Sequence, residues 1–321
     1  ETVSAMTREQ ILDFYCKYYR PERITFVAVG NFETANMQEK IAGFFADWSN
    51  PSGFEQAERA LEPVQTELRY RILEEDVKQS RLSMAWHIPE VSHPDIPAID
   101  ALATVLGHGD SSRLYRSIRQ EKELVNDIYS YAYTPKEPGL FIIGAGLKSE
   151  NLEAALENCF YDVFRCFREI TQLEIEKAKA LILSESAYLR ETSQGLARKL
   201  GFYEVVAGDY RYEEAYREAI LKLAPIDLER VARKYLTNCL SLVIQVPHGI
   251  KPPTQLQIQE FIKRGIASDS SVNPVVEFEA EEGVGEGRTS SPAVFSGKVK
   301  VGLHNVSHPE SPNGCILLVK R

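Results

Sequence analysis

Two segments of the chain resemble each other closely enough to constrain the fold. When residues 6 to 30 are placed over residues 223 to 247 without a gap, each segment shows a helical pattern, a short break and an apolar strand-like run. The matched pairs include Met6 and Leu223, Ile11 and Leu228, Phe14 and Val231, Tyr18 and Tyr235, Phe26 and Val243, and Val29 and Val246. Such a repeat predicts two similar domains, the first of which is represented here by its final third.

The spacing of apolar residues predicts where strands and helices lie between these two segments. Leu82, Met84, Trp86 and Ile88 alternate with polar or small residues, which is typical of a strand with one buried face. Tyr129, Tyr131 and Tyr133 alternate in the same way before a turn and a second apolar run, which predicts an antiparallel hairpin with the tyrosines on one face. Residues 152 to 167 hold the most regular helical pattern. Strands and helices are segregated, which favours an α+β fold.

Charge and apolar content exclude some classes of protein. The 321 residues carry a formal net charge of −9, the wrong sign for neutralising phosphates, so a nucleic-acid partner is disfavoured. No run approaches the roughly 18 to 20 apolar residues that cross a bilayer, so we expect a soluble protein without a membrane partner. Its compartment stays unknown. Because the chain opens at Glu1 without an initiator Met, the sequence is expected to be a processed product or a fragment.

The cysteines and histidines do not form a convincing metal site. Five cysteines include no C-x-x-C pair, and Cys159 and Cys166 on one helix are expected to be core thiols. His304 and His308 have the i, i+4 spacing of a zinc pair, but Gly302 and Pro309 flank them and no Glu lies between them. A polar loop is therefore favoured over a metal site there. The other histidines considered are interpreted as surface residues: His87, His93 and His248.

A tight polar cluster occupies residues 107 to 113. Its glycines could expose backbone amides to a phosphate at a helix N-terminus, although the Lys-Ser/Thr of a P-loop is absent. Ser111 or Ser112 could act as a nucleophile with His108, although no orienting carboxylate is evident. Helix capping and a tight turn are the favoured interpretation.

Several motifs, in order and spacing, resemble the insulinase and pitrilysin family of zinc metallopeptidases. They are Tyr18-Tyr19-Arg20-Pro21 followed by residues 24 to 30, then Gly109-Asp110-Ser111-Ser112-Arg113-Leu114 with Ile118-Arg119 behind it, and Pro138-Gly139-Leu140-Phe141. The similarity spans residues 5 to 247. It implies repeated αβ domains, each a mostly antiparallel sheet packed against helices.

The resemblance also implies a domain plan for a member with two fused halves. Residues 1 to 60 would be the C-terminal part of a first αβ domain, and residues 67 to 248 a complete second one. Residues 249 to 311 would connect the halves, and residues 312 to 321 would form the first strand of a third domain.

The family's zinc site is an inverted His-x-x-Glu-His motif on a helix with a more distant Glu. No such motif occurs in this sequence, so the resemblance implies no catalytic residue and no metal ligand here, and zinc only in the parent protein. The family also uses an Arg and, seven positions later, a Tyr that hold the substrate carbonyl. Arg119 matches the Arg, but Asn126 stands at the Tyr position, which favours a wall of the substrate chamber over a catalytic partner.

The resemblance thus implies a fragment of a zinc-dependent metalloendopeptidase that is inactive alone and lines a chamber for peptides or unfolded polypeptides. Its other partners would be the remaining domains of the same protein. A non-catalytic scaffold or assembly subunit of the same fold is the alternative, and a binding module without protease ancestry is a third. The motif upstream of Glu1 would separate the first two.

Overall fold

The computed structural model describes residues 3–48, 60, 62–267 and 315–320. In chain order the longer elements are α1 (Arg8–Tyr18), β1 (Thr25–Gly30), α2 (Thr34–Phe44), β2 (Arg69–Glu75), β3 (Ser80–Ile88), α3 (Ile96–Gly107), β4 (Asp127–Tyr133), β5 (Gly139–Leu147), α4 (Leu152–Arg165), α5 (Gln172–Arg190), α6 (Ser193–Phe202), α7 (Tyr212–Lys222), α8 (Pro225–Tyr235), β6 (Ser241–Pro247), α9 (Gln255–Ala267) and β7 (Cys315–Lys320). Among these residues, no helix is both long enough and apolar enough to cross a bilayer.

The repeated segments form the elements that the sequence comparison predicts. The first contains α1 followed by β1, and the second contains α8 followed by β6. Thr7 and Gln10 complete a reciprocal capping box at the start of α1. At the matching position of α8, the Asp227 carboxylate accepts a hydrogen bond from the backbone amide of Ala224 at 2.8 Å. The prediction of a helix-then-strand repeat is confirmed.

The chain divides into two compact units. Unit 1 contains residues 1–62, 188–210 and 279–321, and unit 2 contains residues 63–187 and 211–278. In unit 1, α6 packs on β1, where Leu200 and Tyr210 are buried with Val27, Val29 and Leu196. Residues 188–210 therefore belong to unit 1, although they fall within residues 67 to 248.

Unit 2 is built on a five-stranded sheet with the order β2-β6-β3-β5-β4. All neighbours are antiparallel except β2 and β6, which run parallel. The α+β prediction of a mostly antiparallel sheet packed against helices is thus confirmed. The edge strand β2 was not predicted from the sequence. Its exposed residues Arg69, Arg71, Glu74 and Glu75 interrupt the alternation of apolar and polar residues that would indicate a strand.

One face of this sheet is buried under helices. Leu82, Met84, Trp86 and Ile88 are at most 2% exposed and join one core with side chains from α3, α4, α8 and α9, as the alternation predicts. The indole Nε1 of Trp86 donates a hydrogen bond to the carbonyl of Thr237 at 2.8 Å, so this large buried ring leaves no polar atom unpaired. Cys159 and Cys166 are free thiols in the same core, as expected.

The opposite face of the sheet is half-exposed and is called the open face here. Tyr129, Tyr131 and Tyr133 of β4 all lie on it and are about half-exposed, so the hairpin and its predicted register are confirmed. On β3 the open face carries Arg81, Ser83, Ala85 and His87.

One C-terminal region differs from the domain plan. Residues 255–267 form α9, which packs on α4, rather than part of a connector. This segment is an amphipathic helix because its buried residues follow an i, i+3, i+4, i+7 pattern: Ile258, Phe261, Ile262 and Gly265. The strand β7, within the residues expected to begin a third domain, pairs antiparallel with β1. The rest of the expected connector, with His304 and His308, lies outside the described residues.

Candidate functional site

A concavity of about 410 Å³ lies on the open face of unit 2. It is lined by Leu73, Arg81, Leu82, Ser83, Asp127, Tyr129, Ala145, Gly146, Val243 and Gln245. These residues come from all five strands, so the site depends on the pairing of segments that are far apart in the chain.

The strand register arranges the open face in rows that run across the sheet. One row consists of five successive Cα partners: Leu73, Gln245, Arg81, Gly146 and Asp127. The next row consists of Arg71, Val243, Ser83, Gly144 and Tyr129. Each row includes a glycine of β5, with Gly146 between Arg81 and Asp127 in the first row and Gly144 between Ser83 and Tyr129 in the second.

Two glycines of β5 allow the side chains of β4 to lie across the neighbouring strand. A Cβ atom at Gly144 would lie 2.4 Å from Cζ of Tyr129, and one at Gly146 would lie 2.6 Å from Oδ1 of Asp127. Any larger residue would displace the phenol ring and the carboxylate. Glycine inside a strand often marks such a close approach, and here it opens the floor of the concavity.

The concavity contains two opposite charges. Arg81 and Asp127 are both exposed and belong to the same row, with Gly146 between them. Within the described part of the chain, neither side chain has an ion-pair or hydrogen-bond partner. By contrast, Glu75 at the far end of the face accepts a hydrogen bond from Gln245 at 2.7 Å.

Arg119 and Asn126, the two residues taken from the family resemblance, lie in different surroundings. Arg119 is exposed on a π-helical segment (Tyr115–Glu121), with its guanidinium 4.6 Å from the centre of the Tyr115 ring. The Asn126 side-chain amide donates to Oε1 of Gln79 at 2.8 Å, and its backbone amide donates to the carbonyl of Gly146 at 2.7 Å. Neither residue lines the concavity, although Asn126 directly precedes Asp127, which does.

The polar cluster at residues 107 to 113 forms the predicted tight turn, but the predicted capping by Ser111 or Ser112 is wrong, because no side chain caps the segment Tyr115–Glu121. The Ser112 hydroxyl donates to the carbonyl of Gly109 at 2.7 Å, and Gly109 itself has a positive φ of 80°. His108 pairs instead with Glu185, at 2.8 Å between Nε2 and Oε1. Serine and histidine therefore do not form the nucleophile pair considered as an alternative.

Buried charges of unit 2 connect its helices to one another. Asp95, at the start of α3, accepts hydrogen bonds from Arg230, Lys234 and Tyr235 of α8 at 2.7 to 3.1 Å. Burial opposes ionisation of this carboxyl, but these three donors outweigh it and lower the pKa of Asp95 to about 2. His93 is also engaged, because its Nδ1 accepts a hydrogen bond from the backbone amide of Asp95. This network fixes α8 against α3.

The described residues do not fit a zinc site. Across residues 3–48, 62–267 and the terminal strand, no group of three His, Cys, Asp or Glu side chains could hold a metal ion. His87, on the half-exposed side of β3, has no second histidine in its row. No step of any reaction is therefore assigned to a metal held by these residues.

A mostly antiparallel sheet that is covered by helices on one face and open on the other defines unit 2 as a mixed αβ domain. The family described as "Peptidase M16 inactive domain" matches residues 5–182, more than half of the chain. The chain belongs to this family, which confirms the resemblance to the insulinase and pitrilysin metallopeptidases.

Individual relatives agree with this assignment. The chain is 25% identical over 258 residues to the uncharacterized zinc protease YmxG of Bacillus subtilis, an alignment covering 78% of this chain and 61% of that protein. It is also 25% identical over 253 residues to the zinc protease PqqE of Helicobacter pylori, covering 76% and 56%. The chain thus spans about 60% of the length of the curated relatives that it matches.

Solved structures share the fold. A protease from Helicobacter pylori superposes with a TM-score of 0.67 at 23% identity, over 76% of this chain and 60% of that chain. The peptidase M16 inactive domain from Pseudomonas fluorescens gives 0.64 at 19% identity, over 78% and 60%. At these identities the likeness shows the fold alone.

Sequence reasoning did not identify the residues that line the concavity. Their signals were present but weak: Arg81 occurs among the residues that alternate with the buried side chains of β3, and Gly144 and Gly146 interrupt an apolar strand. Only the register across β3, β5 and β4 brings them together.

Proposed function

We propose that this chain forms the non-catalytic wall of a peptide-binding chamber in a zinc metallopeptidase. The observation that carries the proposal is the open face of unit 2, which presents tyrosines, small residues and unpaired charges in a domain of the M16 inactive family. In this proposal the metal-bound hydrolytic centre belongs to other parts of the protein, and peptides or unfolded polypeptides are the substrates.

The role of this chain would be to hold an extended peptide and limit its orientation. Tyr129 and Tyr131 stack with ring centres 6.0 Å apart and offer a flat apolar surface beside the concavity. The outer edge of β4 has no partner strand in the five-stranded sheet, so in this proposal a peptide strand pairs with the backbone groups of β4 that point away from β5. The proposal includes Arg119 as a donor to substrate carbonyls, supported by its exposed guanidinium.

A non-catalytic scaffold or assembly subunit is the second candidate. One observation favours it: the fold recurs in a chain of "Complex III2 from Candida albicans", with a TM-score of 0.63 at 14% identity over 81% of this chain. In that case the open face would contact a neighbouring subunit rather than a peptide.

The proposal is tested by comparing this chain with the whole polypeptide encoded by its gene. We expect the whole polypeptide to hydrolyse quenched-fluorescence peptides and to lose this activity on chelation. This chain alone should bind such peptides without cleaving them and should hold no stoichiometric zinc. Tight binding of one zinc per chain would overturn the proposal, and a whole polypeptide without hydrolytic activity would favour the scaffold.

A further inference from the structure

We propose that the concavity on the open face is a carboxylate-binding subsite in which Arg81 pairs with a carboxylate of the bound peptide. The inference deepens the proposed function and rests on it, because it names the chemistry that the peptide-binding face selects. The carboxylate would come either from an acidic side chain or from the C-terminus of the peptide.

The geometry of the row separates the backbones of the two opposite charges by one strand. Arg81 and Asp127 are both Cα partners of Gly146, so their backbones lie two strand spacings apart, roughly 9.6 Å. The carboxylate of Asp127 lies over Gly146, since its Oδ1 occupies the space next to a Cβ atom there. Because Asp127 fills the space over Gly146, a bound carboxylate would contact Arg81 on the side of the concavity lined by Ser83 and Val243.

The guanidinium of Arg81 is available for a ligand. No ion pair or hydrogen bond engages Arg81 in the part of the chain that the structure describes, whereas Arg113, Arg165 and Arg230 each pair with a carboxylate. Because a guanidinium presents parallel N–H donors, it binds a carboxylate through two hydrogen bonds, which a single amide or ammonium group does not match.

The charges around Arg81 favour an anion at one end of the concavity only. Arg71 lies on the same face in the neighbouring row and adds a second positive charge, while the Glu75 carboxylate on this face is engaged by a hydrogen bond from Gln245 at 2.7 Å. Asp127 at the other end would repel a second carboxylate and attract an amide N–H or an ammonium group. The pair thus sets the direction in which a peptide lies across β3, β5 and β4.

Fluorescence polarisation with the full 321-residue chain tests the inference. The probes are N-acetylated, C-terminally amidated peptides of about nine residues that differ only at a central Glu, Gln or Lys, and a Gln peptide with a free C-terminal carboxylate. We expect the Glu peptide or the free-carboxylate peptide to bind about tenfold more tightly than the amidated Gln peptide, and added salt to reduce this difference. Which of the two gains affinity identifies the source of the carboxylate.

The variant Arg81→Gln should remove the preference, so that the Glu, free-carboxylate and amidated Gln peptides bind with equal affinity. The matched control is Arg264→Gln, which removes an exposed arginine from α9, in the helical layer. Far-UV circular dichroism and melting curves establish that both variants fold. If all peptides bind equally and Arg81→Gln has no effect, the inference is overturned and the peptide-binding wall still stands. If no peptide binds the unmodified chain, the proposed function falls together with the inference.

Discussion

Arg113 and Glu174 form a two-point ion pair that ties the turn after α3 to the first turn of α5. The two contacts are 2.6 Å between Nε and Oε1 and 2.9 Å between Nη2 and Oε2. The same carboxylate accepts a hydrogen bond from the backbone amide of Thr171, completing a capping box with the Thr171 hydroxyl. The arginine also donates to the carbonyl of Glu169. One carboxylate therefore orders the α4–α5 connection.

Replacing this carboxylate should destabilise unit 2. We expect Glu174→Gln to lower the free energy of unfolding by about 2 kcal/mol, because it leaves the guanidinium of Arg113, only 15% exposed, without its counter-charge. Glu218→Gln is the control, since it breaks only the exposed pair with Lys222 and should change stability by less than about 0.5 kcal/mol. Urea denaturation followed by circular dichroism measures the free energy of unfolding of both variants. Equal losses in the two variants would contradict a stabilising role for the Arg113–Glu174 pair.

The same pair predicts how stability depends on acid. Burial opposes ionisation of Glu174, but the hydrogen bonds from Arg113 and Thr171 prevail and lower its pKa from 4.5 to about 2. A carboxyl whose pKa is lower in the folded state stabilises the fold above its unfolded pKa, and this contribution disappears as the pH falls through the folded value. Melting temperatures should therefore fall between about pH 5 and pH 2, and less steeply in Glu174→Gln.

Asp100 should show the opposite dependence on pH. Burial raises the pKa of this α3 carboxyl to about 7, although the hydroxyl of Tyr216 donates a hydrogen bond to it at 2.7 Å and partly opposes the shift. Because the folded state holds the proton more tightly, stability is full below the unfolded pKa and is lost as the pH rises through about 7.

Asp100→Asn should therefore stabilise the protein at pH 8 by about 1 kcal/mol or more and change little at acidic pH. The amide oxygen can still accept the hydrogen bond from Tyr216. Tyr216→Phe is the companion variant, and it should destabilise the fold at either pH. Denaturant titrations at two pH values measure the free energy of unfolding of each variant. If Asp100→Asn stabilises the protein equally at both pH values, the raised pKa of Asp100 is contradicted.

The contact between α9 and α4 predicts an unusual response to a helix-favouring substitution. A Cβ atom at Gly265 would lie 2.8 Å from Cδ2 of Phe164, in the buried interface between the two helices. Glycine to alanine normally stabilises a helix by up to about 1 kcal/mol, but Gly265→Ala should cost about 1 to 3 kcal/mol by overpacking.

The control is Gly43→Ala in α2, where nothing lies within 4 Å of the added atom. Amide hydrogen exchange should become faster in α9 and α4 for the first variant, and slower in α2 for the second. Unchanged exchange in α9 would mean that this helix does not pack on α4.

The two residues carried over from the family resemblance should differ in their effect on peptide binding. Arg119→Gln removes an exposed guanidinium and should weaken binding to the chain severalfold, whereas Asn126→Ala should have a smaller effect because its amide already bonds to Gln79. Polarisation titrations with one neutral peptide compare them. If Asn126→Ala lowers the peptide affinity more than Arg119→Gln does, the Asn126 amide rather than the Arg119 guanidinium is the principal donor to the peptide.

The local features of this fold could be predicted from the sequence. The alternation in β3, the tyrosines of β4 and the capping box of α1 each involve residues only a few positions apart, and their physical causes are local. The segment Arg69–Glu75 escaped prediction because it is an edge strand whose charged side chains face water.

The candidate site could not be predicted in the same way. Gln245, Arg81 and Asp127 become neighbours only through the register of three strands taken from distant parts of the chain. A single sequence does not specify which strands pair, and a register shift of one residue would move Arg81 to the buried face. The nucleophile alternative at Ser112 failed for a similar reason, because Glu185 on another helix engages His108.

The packing of α9 on α4 determines where a chain shortened at its C-terminal end, for crystallography or NMR, can stop without exposing the core of unit 2. A chain that ends at residue 248 keeps all five strands of the sheet but lacks α9, so Phe160 and Phe164 of α4 become exposed to solvent. The exposed apolar patch would favour aggregation. Ending the expressed polypeptide after Ala267 keeps that patch sheltered, so solubility of the two truncations should differ although their sheets are identical.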